Sequence, residues 1–368
     1  MRKGRIRNIF PGSNTCKGFY SFYDYFVRDD SYKVFYLKGG PGIGKSVFIR
    51  NIGNEIVNRG LDIEFLYCSA DCNSLDGVYV PLLDLAIIDG TPPHLMDPKN
   101  PGAVDEIIHL GECWNEAGLR KNREEIISIN REVKRLFRKS FFYLKTAKLF
   151  LDEVESYVLD TGALDIMGLN EEARGLIKYV FNDEIERKEG GKKRVRHFYA
   201  AAITPQGVCS FLENLFDPLE RRIVIKGRPG TGKNTIVRKI MEEGISRGLT
   251  MDICHCALDP DKYEHLIFPE IGVGVVTSMP PHEYEPKEGD IIVDTEKYLD
   301  LERLNKYHEE MEEALKKYDI LFNNALSFLS KTKQVRDGLE KHYSSNTNFE
   351  MADEKRNEVL ERIFKLLP

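Results

Sequence analysis

Lys38-Gly39-Gly40-Pro41-Gly42-Ile43-Gly44-Lys45-Ser46 is the stretch that decides the fold of this chain. The apolar run at 33–37 ends on it and reads as a buried strand. Residues 46–58 follow, with Val47, Ile49, Ile52, Ile56 and Val57 at helical spacing and Gly60 as a helix-ending residue. Between strand and helix, the glycines let backbone N–H groups converge on an anion, and the helix start adds the positive end of its dipole. Gly39, Gly40, Pro41, Gly42, Ile43, Gly44, Lys45 and Ser46 satisfy G-x-x-x-x-G-K-[ST] completely. In that pattern the lysine reaches the terminal phosphates and the hydroxyl ligates Mg2+.

The same loop returns 188 positions later as Gly227, Arg228, Pro229, Gly230, Thr231, Gly232, Lys233 and Asn234, with Thr235 following. The offset holds over a long stretch: Cys68 matches Cys256, Asp71 matches Asp259, and Pro92-Pro93-His94 matches Pro280-Pro281-His282. Upstream, Thr15, Gly18, Ser21 and Phe22 match Thr204, Gly207, Ser210 and Phe211 with an offset one larger. The chain therefore reads as two tandem copies, 1–186 and 190–368, joined by a charged stretch at 187–193.

Further strands are predicted at 63–68, 85–88 and 106–110, and in the second copy at 222–225, 250–254, 272–276 and 290–293. Residues 114–158 and 297–343 are long, charged and helical, and are expected to project from the sheets as arms. Strands alternating with helices imply an α/β fold with mainly parallel, doubly wound sheets.

Asp89, at the end of the 85–88 strand, is the candidate acid for a metal shell beside Ser46, with an Asx turn as its plainer role. Its counterpart is Thr277, and Asn234 stands where the first loop has a hydroxyl. The second loop is thus expected to bind nucleotide with weak metal use, unless Asp294 substitutes. Asp71 and Asp76 follow the second strand and are candidates to orient water or accept a proton. Asp152-Glu153 mimics a strand-end acid but sits in the helical stretch, aligned with 325–331, and reads as a solvated helix face. Arg131, Arg135 and Arg138 share one helix face, read as paired with nearby glutamates. His94 and His282 read as loop-packing residues, with a phosphate contact as the alternative. The seven cysteines are odd in number and lack paired zinc spacing, so free thiols are expected.

The 368 residues are 42% hydrophobic and 30% charged, with a net charge of -6, which argues against bulk nucleic-acid binding. No apolar run approaches a membrane span and no secretory signal is evident, so a cytoplasmic protein is expected.

The complete first loop resembles that of the P-loop NTPase superfamily. With the 10–15 and 18–22 segments, the second loop and Asp89-Gly90-Thr91, the whole pattern resembles a bacterial family of tandem-duplicated P-loop ATPases. That resemblance implies ATP binding. Guanine-specific Asn-Lys-x-Asp and the Leu-Ser-Gly-Gly-Gln signature are missing, which favours ATP over GTP and sets ABC transporters aside. The expectation is an Mg2+-dependent ATPase with Lys45, Asp89 and Asp71 in catalytic roles and a partner of unspecified chemistry. The alternatives are a small-molecule or nucleotide kinase and a nucleotide-gated binding module.

Overall fold

The structure, a computed structural model, describes residues 2–91, 96–181 and 194–366. The join at 187–193 and His94 lie outside them. In chain order the first half forms β1 (Ile6–Ile9), a ribbon of β2 (Gly12–Thr15) and β3 (Gly18–Ser21), β4 (Lys33–Lys38), α1 (Lys45–Asn58), β5 (Ile63–Cys68), β6 (Asp71–Val80), β7 (Leu85–Asp89), β8 (Asp105–His109), a short α2 (Glu116–Lys121), the long α3 (Arg123–Asp160) and α4 (Ile166–Val180). The second half repeats this with β9 (Val195–Phe198), the ribbon β10 (Ala201–Thr204) and β11 (Gly207–Ser210), α5 (Leu212–Phe216), β12 (Arg221–Lys226), α6 (Lys233–Ser246), β13 (Met251–His255), β14 (Tyr263–Phe268), β15 (Val273–Ser278), β16 (Ile291–Asp294), α7 (Leu301–Asn305), α8 (His308–Ser344) and α9 (Phe349–Phe364).

The strands make two six-stranded sheets of matching order, β1-β5-β6-β7-β4-β8 and β9-β13-β14-β15-β12-β16. Both are mostly parallel but mixed, because β6 and β14 run antiparallel to both neighbours. Sequence reading missed these two strands. β6 opens on Asp71-Cys72-Asn73-Ser74, which looks like loop. Two residues separate β5 from β6, too few for a parallel crossover, so β6 must turn back.

The central strands are buried on both faces, which explains their unbroken apolar runs. On β4, Phe35 and Leu37 face α1, while Val34 and Tyr36 face a core shared with the second sheet. On β12, Ile223 and Ile225 face α6, while Val224 enters that same shared core. The two sheets thus pack back to back, with helices on the outer faces.

The copies are related by a pseudo-two-fold axis. Phe10 and Tyr199, equivalent residues, exchange backbone hydrogen bonds with each other, N to O at 3.0 and 2.9 Å. Beside them lies a buried tetrad of equivalent pairs. Arg196 bonds Glu64 and Asp252 at 2.5–2.9 Å, and Arg7 bonds the same two acids at 2.6 and 2.7 Å. Burial pushes the two acids up, but the arginines outweigh it and hold both below the usual carboxylate range.

The long helices do not project. α3 and α8 pack on each other antiparallel along about 55 Å of helix, with Trp114 bridging to Thr347 at one end and Tyr157 meeting Tyr307 at the other. Each carries its chain across to the other sheet. α9 buries Ala352, Val359 and Ile363 in the core of the first sheet, and α4 buries Leu169, Ala173 and Leu176 in the core of the second. The terminal helix of each copy therefore completes the other copy's sheet.

Two outcomes follow from this packing. Arg196→Ala leaves two buried carboxylates facing Arg7 alone and is expected to cost about 3–5 kcal/mol in urea unfolding. Ile363→Ala, in the last helix, is expected to cost about 2–5 kcal/mol, with faster hydrogen exchange in β4 and β7 but not in β12 and β15.

Candidate functional site

The first glycine-rich loop leaves the end of β4 and turns into α1 through Gly44, whose φ of 86° is left-handed. Lys45 folds back over the loop, and its Nζ donates to the carbonyls of Gly39 and Gly40 at 2.9 and 2.8 Å. Strand pairing puts Asp89 beside Leu37 on the neighbouring strand β7. Asp89 Oδ2 lies 3.5 Å from Lys45 Nζ, while its Oδ1 accepts from the Thr91 N–H and hydroxyl. The Asx-turn role expected of Asp89 is present: one oxygen closes that turn and the other faces the loop lysine. Ser46 Oγ accepts the Leu75 N–H at 2.9 Å and keeps a second lone pair.

The other acids separate. Asp71, which opens β6, ion-pairs with Lys333 of α8 at 3.1 Å and accepts from Gln206 at 3.2 Å. The same contact exists at the other end of the molecule, where Asp259 pairs with Lys148 of α3 at 3.2 Å. Asp71 thus fastens an arm to a sheet. Asp76 is buried and accepts a hydrogen bond from Tyr23 Oη at 2.8 Å, and both Asp71 and Asp76 line the same cavity as Lys45, Ser46 and Asp89.

That cavity, about 260 Å3, is closed by the exchanged helices. A Cβ on Gly42 would lie 2.5 Å from the Glu340 carbonyl oxygen, so α8 sits directly on the loop and position 42 admits no side chain. Phe349, at the start of α9, also lines it. α8 brings Arg336, half-buried and without an ion pair among the described residues. Sequence reading missed Arg336, since nothing local places the end of the chain over the first loop. A signal existed: Lys333, Asp337 and Glu340 recur as Lys148, Asp152 and Glu155, 185 positions earlier. Asp152 therefore corresponds to Asp337 rather than to the 325–331 segment, and each pairs with the lysine one turn before it. The helical reading of Asp152-Glu153 agrees with α3.

The second loop repeats the geometry with altered chemistry. Lys233 Nζ donates to Gly227 O and Arg228 O at 2.5 and 2.7 Å. Asn234 uses its side-chain amide to donate to Tyr263 O at 2.7 Å. Thr277 occupies the place of Asp89 beside Ile225, Glu264 that of Asp76, and Leu151 that of Arg336. Asp294 does not supply the missing acid: it is exposed and caps the turn after β16, accepting from the Glu296 N–H. The cavity here measures about 310 Å3. Within it His282 is buried in the turn after β15, with its Nε2 3.2 Å from Glu264 Oε1. Burial pushes Glu264 up, but His282 and His265 outweigh it and bring it to about 2. Burial lowers His282, yet the Glu264 charge more than offsets this and raises it.

Of the arginine face, Arg135 is held by Glu132 through two bonds of 2.7 Å. Arg131 and Arg138 line a separate, open cavity of about 840 Å3 with Phe19 and Phe137. The seven cysteines are free thiols. Compared with family models, curated proteins and solved structures, the chain matches none of them. No helix among the described residues is long and apolar enough to cross a membrane.

Burial lowers the Lys233 ammonium from its ordinary 10.5 to about 8. Between those values the folded chain binds fewer protons than the unfolded chain, so this group makes stability rise with pH across that window. Below the folded value the full cost of the buried charge is present. Unfolding free energies from pH 7 to 10.5, wild type minus Lys233→Met, are expected to show this slope.

Proposed function

We propose that this protein is an ATP-binding, Mg2+-dependent ATPase that hydrolyses ATP mainly at the first loop, with the second loop regulatory. The observation that carries this reading is the content of one cavity. Lys45, Ser46, Asp89, Asp76 and Arg336 converge there, while all of these but the lysine are replaced at the second loop, by Asn234, Thr277, Glu264 and Leu151. In this reading the Gly42–Ser46 backbone N–H groups cradle the phosphates, and Lys45 exchanges its loop carbonyls for phosphate oxygens. Ser46, with a lone pair to spare, and Asp89 would hold Mg2+, which neutralises phosphate charge when bound. Asp76, kept in place by Tyr23, orients the attacking water. Arg336 meets charge developing on the transferred phosphoryl group. The contact of α8 with Gly42 gives the arms a direct link to the state of the loop.

A second reading, transfer to an acceptor, draws on the open cavity at Arg131 and Arg138, which shares Ala70 with the loop cavity. Acceptor-independent turnover at full rate separates the two.

Phosphate release by purified protein with Mg-ATP is the test. Lys45→Ala and Arg336→Ala are each expected to lower kcat ~100-fold or more, whereas Lys233→Ala only modulates it. Equal loss from both lysine changes contradicts the asymmetry, and an unchanged kcat in Arg336→Ala removes that residue from the chemistry.

A further inference from the structure

The second loop carries charges that suit a different ligand state. We propose that it is a metal-independent nucleotide site, taking a nucleoside triphosphate as the free anion, with Lys233 supplying the positive charge and His282 and Thr277 hydrogen-bonding groups. This rests on reading both loops as nucleotide sites and adds what the second one requires.

Three observations support it. First, the second cavity lacks the loop hydroxyl and the strand-end acid that the first loop offers a magnesium ion. Mg2+ takes oxygen ligands in near-octahedral array, usually one or two carboxylates with waters and phosphate oxygens. Here the strand-end acid is Thr277, and the loop hydroxyl is Asn234, anchored through its amide to Tyr263. The remaining inward acid, Glu264, already faces His282 at 3.2 Å and His265 at 3.7 Å.

Second, Glu264, His265 and His282 have the spacing of a metal-binding trio, with donor atoms within 4.8 Å of one another. The hydrogen bonding argues against that use. His265 Nδ1 accepts the Thr277 backbone N–H at 3.1 Å, so the neutral ring carries its proton on Nε2. Nε2 faces Glu264 as a donor, not as a lone pair. A metal-ligating imidazole has the opposite arrangement, donating from its outer nitrogen. The trio is therefore a carboxylate facing two imidazoles at 3.2 and 3.7 Å, with no hydrogen bond formed at either Nε2.

Third, the cavity presents unused polar atoms. Thr277 Oγ1 and both ring nitrogens of His282 have no hydrogen-bond partner, although Thr277 is 2% and His282 7% exposed. Buried polar groups of this kind are rare unless something binds them. Both residues line the cavity that holds Lys233 and the Gly230–Asn234 loop. The neighbouring cations are engaged elsewhere: Lys148 with Asp152 and Asp259, and Lys262 with Glu155 at 2.6 and 2.8 Å. Phosphate oxygens placed on the loop would satisfy the Thr277 hydroxyl and the imidazole N–H together. With Asp89 replaced by Thr277 and Glu264 matched by His282, the phosphate anion would meet less carboxylate charge here than at the first loop.

Calorimetric titration of the full chain with ATP, in Mg2+ and in EDTA, tests this. In EDTA one equivalent of ATP is expected to bind. Lys233→Ala abolishes that binding, Lys45→Ala leaves it, and His282→Ala weakens it ~10-fold or more. Thr277→Asp puts an acid back beside the loop. It is expected to weaken binding in EDTA by ~10-fold and to leave Mg-ATP binding, which a folding defect would not do. ATP binding at both loops that disappears in EDTA overturns the inference but leaves the nucleotide reading intact. EDTA-resistant binding that follows Lys45 instead of Lys233 also overturns it. No ATP binding in either condition overturns both.

Discussion

The buried tetrad of Arg7, Glu64, Arg196 and Asp252 is the contact around which the molecule is organised. One cation and two anions are taken out of water together with a half-buried second cation, each satisfied by partners from both copies. Desolvating such charges is expensive, and only a geometry with every charge matched offsets it. An arrangement in which the sheets slide or rotate strands at least one charge. The tetrad therefore specifies register between the copies, while the shared apolar core between the sheets provides the bulk of the driving force. Ser13 and Asn14 extend that register along the β2 and β10 ribbons, bonding Ala257 O and Ile203 O respectively.

Fixing the sheets back to back determines where the arms go. A helix that starts at the outer strand of one sheet and runs about 55 Å ends at the far sheet, where its terminal helix finds an apolar surface to cover. The result is an exchange inside one chain, comparable to domain swapping between protomers. Its consequence for chemistry is direct. The residues pressing on each glycine-rich loop come from the opposite copy: Glu340, Tyr343 and Phe349 at the first, Glu155, Val158 and Leu169 at the second. Neither loop has a complete surround without the other half of the chain.

Duplication usually starts from equal sites, and here the two have diverged position by position around the same backbone. Ser46 and Asn234, Asp89 and Thr277, Asp76 and Glu264, Arg336 and Leu151 occupy equivalent places. The changes are concerted in charge: the second cavity loses one acid and one arginine, and balances its remaining acid against His282. The fold tolerates this because the packing contacts, Lys333 with Asp71 and Lys148 with Asp259, lie outside the altered positions.

The amino-acid sequence alone determined the repeat, both glycine-rich loops, most parallel strands and the helical nature of the arms. Each of these is a local pattern: a glycine spacing, an apolar run, a helical period. It also placed Asp89 beside the loop, since a strand-end acid needs only strand adjacency. Only the tertiary structure decided the rest. β6 and β14 begin or run through polar residues whose burial comes from neighbours. Asp71 and Asp76 are five residues apart on one strand and line one cavity, yet one pairs with an arm lysine and the other is buried against Tyr23. Arg336 lies 291 positions from Lys45 in the chain and reaches the same cavity. Periodicity shows that a helix has a buried face but not which surface covers it, and here that surface belongs to the other copy.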